Sequence, residues 1–345
     1  MSMIVKHVMH VTSAGNDPWD NRFEQDYIWP DFDSAKDFRL EEDQFERSEF
    51  TSLADESKFE KLKPDHWDLA QYVFKSITDE FRYTNRDSWS EWNGKNWQRD
   101  RDAELERRVP NILTQDANLR AEIRINKNLV NSVTKLAKSI EPMPIDDAKF
   151  DSDLSTLNTQ AGLVDLTTGE IIPHSREHLC TKITLVGPEK SSAPTFSKFL
   201  NEITCDDEDL KIYLQQLLGS TLSGAVSHHW IAFFEGSGAN GKSVLMDTIG
   251  SILGDYATHI RTESLMLNPA RGSGPSPELA KLEAIRLAIG SEVSKSAFLD
   301  DERVKTLTGD GFIVARYLFK SEREFERTNK TVVLCNNMPR TREVS

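Results

Sequence analysis

The chain has 345 residues, room for about two ordinary domains, and its 56 acidic against 42 basic residues give a formal net charge of −14. The excess is local: residues 1–60 hold 15 acids and 6 bases, so the rest is near balance, and any nucleic-acid contact has to come from a local basic patch. Cys180, Cys205 and Cys335 are too few and too widely spaced for a disulfide scaffold or a Cys-x-x-Cys metal clip and suit a reducing cytoplasm, while the lack of any 18-residue apolar run or signal-like N-terminus excludes a membrane helix and a secretory leader.

Residues 16–60 mix acids with Trp19, Phe23, Tyr27, Trp29, Phe32, Phe38, Phe45 and Phe50 at no steady period. They read as an extended acidic arm or linker, either a tail from a neighbouring domain or a segment that docks on a basic groove. Asp31 and Asp33 have metal-ligand spacing, which an acidic stretch also produces by chance. From Pro64 the pattern turns helical, with Leu69, Tyr72, Val73, Ile77 and Phe81 on one face and Asp65 as N-cap. SWSEWNGKNWQRD reads as a hairpin turning at Asn93-Gly94. Its Trp89, Trp92 and Trp97 either pack on the preceding helix or stack nucleic-acid bases.

Residues 101–140 return to helix with alternating charges, 157–187 read as short strands, and 195–222 as a helical block. After Ser227 the texture changes. Residues 229–235, 285–291 and 330–336 are apolar strands, 241–253 a helix, 268–277 a Pro/Gly-rich loop, and 277–284 a short helix. DDERVKTLTGD is helix and turn, and FIVARYLFKSEREFE a hairpin. Strands alternating with helices predict an α/β fold with a parallel sheet covered on both faces. The expected division is a 1–60 arm, a mainly helical (α+β) domain over 61–222, and a sheet domain over 223–345.

The strongest chemical signal is Gly236-Ser237-Gly238-Ala239-Asn240-Gly241-Lys242-Ser243, followed by Val244, which fits G-x-x-x-x-G-K-[ST] between an apolar strand and a helix. Glycines let backbone N–H groups close around a polyphosphate, Lys242 brings a charge to the β/γ-phosphates, and Ser243 offers a hydroxyl to Mg²⁺. These residues are the expected ATP site. Glu292, at the end of IRLAIGSE, is the expected acid for the metal and the attacking water. Asn336, ending VVLCN, is placed to hold that water; alone, a strand-end Asn is an ordinary turn former. Lys242, Glu292 and Asn336 are thus the catalytic candidates, and Ser243 and Glu292 the metal candidates.

The series resembles the superfamily 3 helicase domain of the phage and plasmid primase–helicase family, which includes the poxvirus primase–helicase. The loop matches its G-x-G-x-N-G-K-S form, Lys305 to Asp310 its K-x-L-T-G-G-D segment, Ala315 to Lys320 its hairpin, and Asn336 to Pro339 its N-x-x-P. Upstream, Trp92-x-Gly94-x-x-Trp97, Leu157 to Glu170, and Phe199 to Ile203 match its helical pre-helicase region. The resemblance covers about residues 65–339. It implies an AAA+-type P-loop ATPase that forms a hexameric ring, with the 312–326 hairpin in the channel on single-stranded DNA. Arg316, Lys320 and Arg323 are then the candidate phosphate contacts, against the alternative of a solvated edge balanced by Glu322, Glu324 and Glu326.

Two departures stand out. Thr308-Gly309 replaces paired glycines, and Ser291-Glu292 stands where many such proteins have Asp-Glu. The family's arginine finger and C-terminal portion lie beyond Asn336, so the resemblance implies a chain truncated before them; Arg340 and Arg342 are too close to that asparagine to be assigned the role. The family's primase domain does not fit into residues 1–60 and is expected on a separate domain or protein. The expected function is an ATP-dependent replicative DNA helicase of a phage- or plasmid-type module in the host cytoplasm. The alternatives are a catalytically weak nucleotide- and DNA-binding module that works with a partner, and another P-loop motor, which the hairpin disfavours.

Overall fold

The computed structural model describes residues 64–86, 88–226, 229–267, 276–291, 298–309, 311–317 and 321–341, together with the backbone of one strand, β1 (Ile4–His10). The rest of the acidic arm, with Asp31 and Asp33, lies outside the described residues.

In chain order, helix α1 (His66–Ile77) leads into a hairpin sheet, β2 (Phe81–Thr84), β3 (Ser88–Trp92) and β4 (Trp97–Arg99). Three helices follow, α2 (Glu104–Gln115), α3 (Ala117–Glu122) and α4 (Lys127–Ala137), before β5 (Pro144–Ile145) pairs with β2. A small antiparallel sheet holds β6 (Thr156–Thr159), β7 (Gly162–Asp165) and β8 (Ile171–Ile172). Helices α5 (Pro194–Thr204) and α6 (Glu208–Ser220) come next. The downstream part runs β9 (Trp230–Glu235), α7 (Lys242–Leu253), β10 (Ala257–Arg261), α8 (Pro277–Ala280), β11 (Leu287–Ser291), α9 (Asp301–Thr308), β12 (Phe312–Ala315), β13 (Arg323–Glu326) and β14 (Lys330–Cys335).

Local chemistry accounts for the upstream part. Asp65 caps α1 by accepting from the amides of Trp67 and Asp68, and Asp68 returns the bond to the Asp65 amide. Leu69, Val73 and Ile77 recur at helical spacing and are buried with residues of α2 and α4. Phe81 is not on this helix, as the periodicity predicts; the helix stops at Ile77 and Phe81 opens β2, fully buried in the same core. An i+4 spacing across a chain reversal returns a side chain to the same core, which explains the misassignment. The Asn93-Gly94 turn forms with Gly94 at φ +95°, and Trp92 pairs with Trp97 across it. Trp97 is 2% exposed and donates its indole N–H to the Arg176 carbonyl at 2.9 Å, so this ring is core.

The larger sheet has the order β1-β9-β14-β11-β10, with β9, β14, β11 and β10 mutually parallel and β1 antiparallel at the edge. Trp230, Ala232 and Phe234 of β9 enter one core, and Ile231 and Phe233 the other. That both faces are buried explains why HWIAFFE and KTVVLC read as continuous apolar runs. One face is covered by α7 together with Ile203, Leu214 and Leu217 of α5 and α6; the other carries residues of α8, α9 and the β12–β13 hairpin. Fully burying Phe233 or Phe234 contributes roughly 1.5–3 kcal/mol each. The expected mixed α/β fold with a parallel sheet is therefore present. β10 was not anticipated: ATHIR is an edge strand with one buried side chain and gives no clean period.

Candidate functional site

The chain passes from β9 through α7 to the far edge at β10, returns through β11, and places β14 between β9 and β11. This crossover sets three strand ends side by side. Cys335 is in register with Glu235, and Leu334 with both Phe234 and Ser291. The Gly236 amide donates to the Cys335 carbonyl at 3.2 Å. The loop that follows β9 and Asn336 that follows β14 therefore meet at the carboxyl edge of a parallel sheet, where such folds bind ligands.

A cavity of about 830 Å³ opens there. Gly238, Ala239, Asn240, Gly241, Lys242, Ser243 and Val244 line it, with Asn336 on the neighbouring strand end. Gly236 and the exposed Ser237 are outside the lining. Glu292 lies outside the described residues; Ser291, just before it, lines the cavity. Asp247 of α7 and His259 of β10 also line it. Sequence reasoning passed over both: an exposed helical acid and a strand histidine carry no motif.

The loop backbone is held in left-handed conformations at Ala239 (φ +62°) and Gly241 (φ +85°). At Gly241 a Cβ would lie 2.5 Å from Ile203 Cγ2 and 3.3 Å from Phe199 Cε2. This glycine thus serves the turn and also the close approach of α5, the element that carries the FLNEI stretch. At Gly236 a Cβ would meet Asn240 Nδ2 at 2.0 Å, a contact that this side chain would have to give way to.

Lys242 is 5% exposed, and its ammonium donates to the Gly236 carbonyl (2.7 Å) and Asn240 Oδ1 (2.9 Å). Burial lowers its pKa, opposed by Glu235 and Cys335. Asn240 Nδ2 is buried without a hydrogen-bond partner. A cradle with a folded-back ammonium, an orphaned amide donor and left-handed turns is rich in donors and fits a polyphosphate. Lys242, the loop amides and Ser243 could hold phosphates and Mg²⁺ there.

The hairpin of β12 and β13 pairs Phe312 with Glu326 through Ala315 with Arg323. Arg316 is exposed beyond it, and Lys320 lies outside the described residues. Arg323 is not a free cation. It pairs with Glu283 at 2.9 Å, donates to the Ala280 carbonyl at 3.2 Å, and lies over the Tyr317 ring at 5.2 Å. Glu283 also holds Arg86, which pairs with Asp147. A chain Asp147–Arg86–Glu283–Arg323 thus ties the hairpin to the upstream sheet.

Comparison with known proteins adds family context. Residues 70–205 match the family described as "D5 N terminal like". The chain is 30% identical over 219 residues to a "Putative helicase" of Acanthamoeba polyphaga mimivirus, covering 62% of this chain and 23% of the relative. It is 23% identical over 200 residues to a "Putative primase" of African swine fever virus, covering 54% and 21%. The chain therefore spans under a quarter of the length of these relatives. The apo C-terminal region of NrS-1 superposes with a TM-score of 0.49 at 14% identity, over 78% of this chain and 57% of that one. Among the described residues no helix is long and apolar enough to cross a membrane. Residues 70–205 thus match a D5 N-terminal-like region, and the chain is similar to proteins named "Putative helicase" and "Putative primase" of large DNA viruses.

Proposed function

We propose that this chain is the ATP-dependent helicase module of a DNA-replication protein: an AAA+-type P-loop ATPase of superfamily 3, ring-forming, moving on single-stranded DNA beside a primase domain or protein. One observation carries the reading: Gly238 to Ser243 of the loop and Asn336 line one cavity at the carboxyl edge of the sheet. The relatives named helicase and primase support the same process.

In this reading Lys242 leaves its loop acceptors for the β/γ-phosphates, and the loop amides hold the non-bridging oxygens. Ser243 and Glu292 hold Mg²⁺, which when bound offsets charge developing on the phosphates. Glu292 takes a proton from the attacking water while Asn336 orients it. Arg316 and Lys320 contact the DNA backbone; Arg323, tied to Glu283, positions the hairpin. The boundaries proposed above, an arm to residue 60 and a sheet domain from 223, are modified in two places: β1 (Ile4–His10) gives the sheet an edge strand from within the arm, and α5 and α6 pack on the sheet's face from before residue 223.

Nucleotide binding, and ATP turnover with and without single-stranded DNA, test the proposal. Lys242→Ala should abolish binding, and Glu292→Gln should keep binding but stop turnover. Equal nucleotide affinity in wild type and Lys242→Ala overturns it. Tight binding without DNA-stimulated turnover points instead to the binding module that depends on a partner.

A further inference from the structure

We infer that Asp247 is a positioning residue for the magnesium ion of the bound nucleotide, adding from α7 a second carboxylate to that of Glu292. The inference rests on the nucleotide reading above and adds a residue to that site.

Asp247 lies four residues after Ser243 in α7, so the two share one helix face a turn apart. Both line the cavity that Ser291 and Asn336 also line. Local helix chemistry does not account for an acid here. Positions three and four away are Ser243, Val244, Gly250 and Ser251, none of them basic, and Asp247 lies beyond the first turn, where the helix dipole favours a carboxylate. It makes no hydrogen bond or ion pair with any described residue, and aspartate is a poor helix former.

Glu292, after Ser291, lies outside the described residues. β10 and β11 are in register, His259 beside Ile289 and Arg261 beside Ser291, so the described part of their wall offers an imidazole and a hydroxyl but no carboxylate. Mg²⁺ keeps several waters and binds through one or two carboxylates plus phosphate oxygens. A water on the ion sits about 2.0–2.1 Å from it, and a hydrogen bond adds about 2.7 Å. Asp247 sits about one helical turn, about 5.4 Å along the axis, beyond Ser243, which suits a carboxylate that reaches a metal-bound water and not the ion itself.

The test is equilibrium binding of a slowly hydrolysed ATP analogue to the full chain, once with excess Mg²⁺ and once with EDTA. Wild type should bind more tightly with Mg²⁺. Asp247→Asn should keep its EDTA affinity within about twofold and lose about tenfold of the Mg²⁺-dependent gain, the lower end for outer-shell ligands. Asp247→Glu should recover part of it. An unchanged Mg²⁺ gain in Asp247→Asn overturns the inference, and so does an equal loss in both conditions, which would place Asp247 on the nucleotide or in the loop's stability. Wild-type affinity in Lys242→Ala overturns the nucleotide reading and this inference with it. Loss of binding in Lys242→Ala beside an unchanged Mg²⁺ gain in Asp247→Asn overturns this inference alone.

Discussion

The large sheet buries a lysine at each end, and the two are held in opposite ways. Lys242, at the carboxyl ends, is 5% exposed and bonded to groups two and six residues away in its own loop. Lys330, at the amino ends, is 6% exposed and donates to the carbonyls of Ser223 and Ala225, more than 100 residues upstream. Beside it Arg286 reaches the Leu222 and Thr156 carbonyls and lies 4.4 Å from the Tyr256 ring centroid. An ammonium held by flexible neighbours in its own loop can be transferred to a ligand without disturbing the fold. One that clasps a distant segment is part of the fold. Burial, with Arg286 and Arg327 nearby, pulls Lys330 down to about 7. A neutral amine has two N–H donors, and the site presents two carbonyls.

The strongest way to sharpen this contrast is Gly241→Ala, which tests whether α5 clamps the Gly236–Ser243 loop. A left-handed φ costs a side chain about 1–2 kcal/mol, and the clash with Ile203 adds about 1–3. Urea denaturation should show a loss of about 2–5 kcal/mol. A loss below about 0.5 kcal/mol would mean that α5 does not press on the loop. Lys242→Ala, by contrast, should leave the denaturation midpoint almost in place.

Lys330→Met comes next, and its effect depends on pH. The unfolded chain keeps this proton up to the ordinary lysine pKa, whereas the folded chain releases it near 7. The unfolded state thus binds more protons between these values, and wild-type stability rises with pH across that window. Below about 7 both states are protonated, and the full penalty of burying the charge remains. At pH 9 the substitution should cost about 1–3 kcal/mol by orphaning two carbonyls; at pH 6 the cost should shrink or reverse. A pH-independent difference would break the comparison.

Glu283→Gln should have the smallest effect. Its partners are part-exposed, with side-chain exposures of 41% for Arg86 and 22% for Arg323 against 25% for Glu283, so the stability loss should stay near or below about 1 kcal/mol. The informative readout is protease sensitivity of the 312–326 hairpin, which should rise. Unchanged cleavage would show that the ion-pair chain does not hold it.

Local signals were legible wherever a short stretch of chain decides the outcome. The Asp65 cap, the Asn93-Gly94 turn, the apolar β9 and β14 and the Gly236–Ser243 loop each depend on neighbours within a few residues. Phe81 was misread because helix and following strand feed one core, and β10 was missed because an edge strand buries little. Arg323 looked like a free base because Glu283 lies 40 residues before it; nothing in the hairpin's own sequence shows that partner.

The sequence by itself determined the Gly236–Ser243 loop, the strands that feed it and the α/β character, because periodicity, glycine placement and capping are short-range properties of the chain. Only the tertiary structure decided that β14 enters between β9 and β11 and brings Asn336 to the loop. It alone laid α5 against Gly241, set Asp247 and His259 beside the loop in one cavity, and gave Lys330 its carbonyls. Those contacts join residues from about 10 to more than 100 positions apart. They exist only once both faces of the sheet are buried, so their cause is the packing of the whole and not the preference of any one segment.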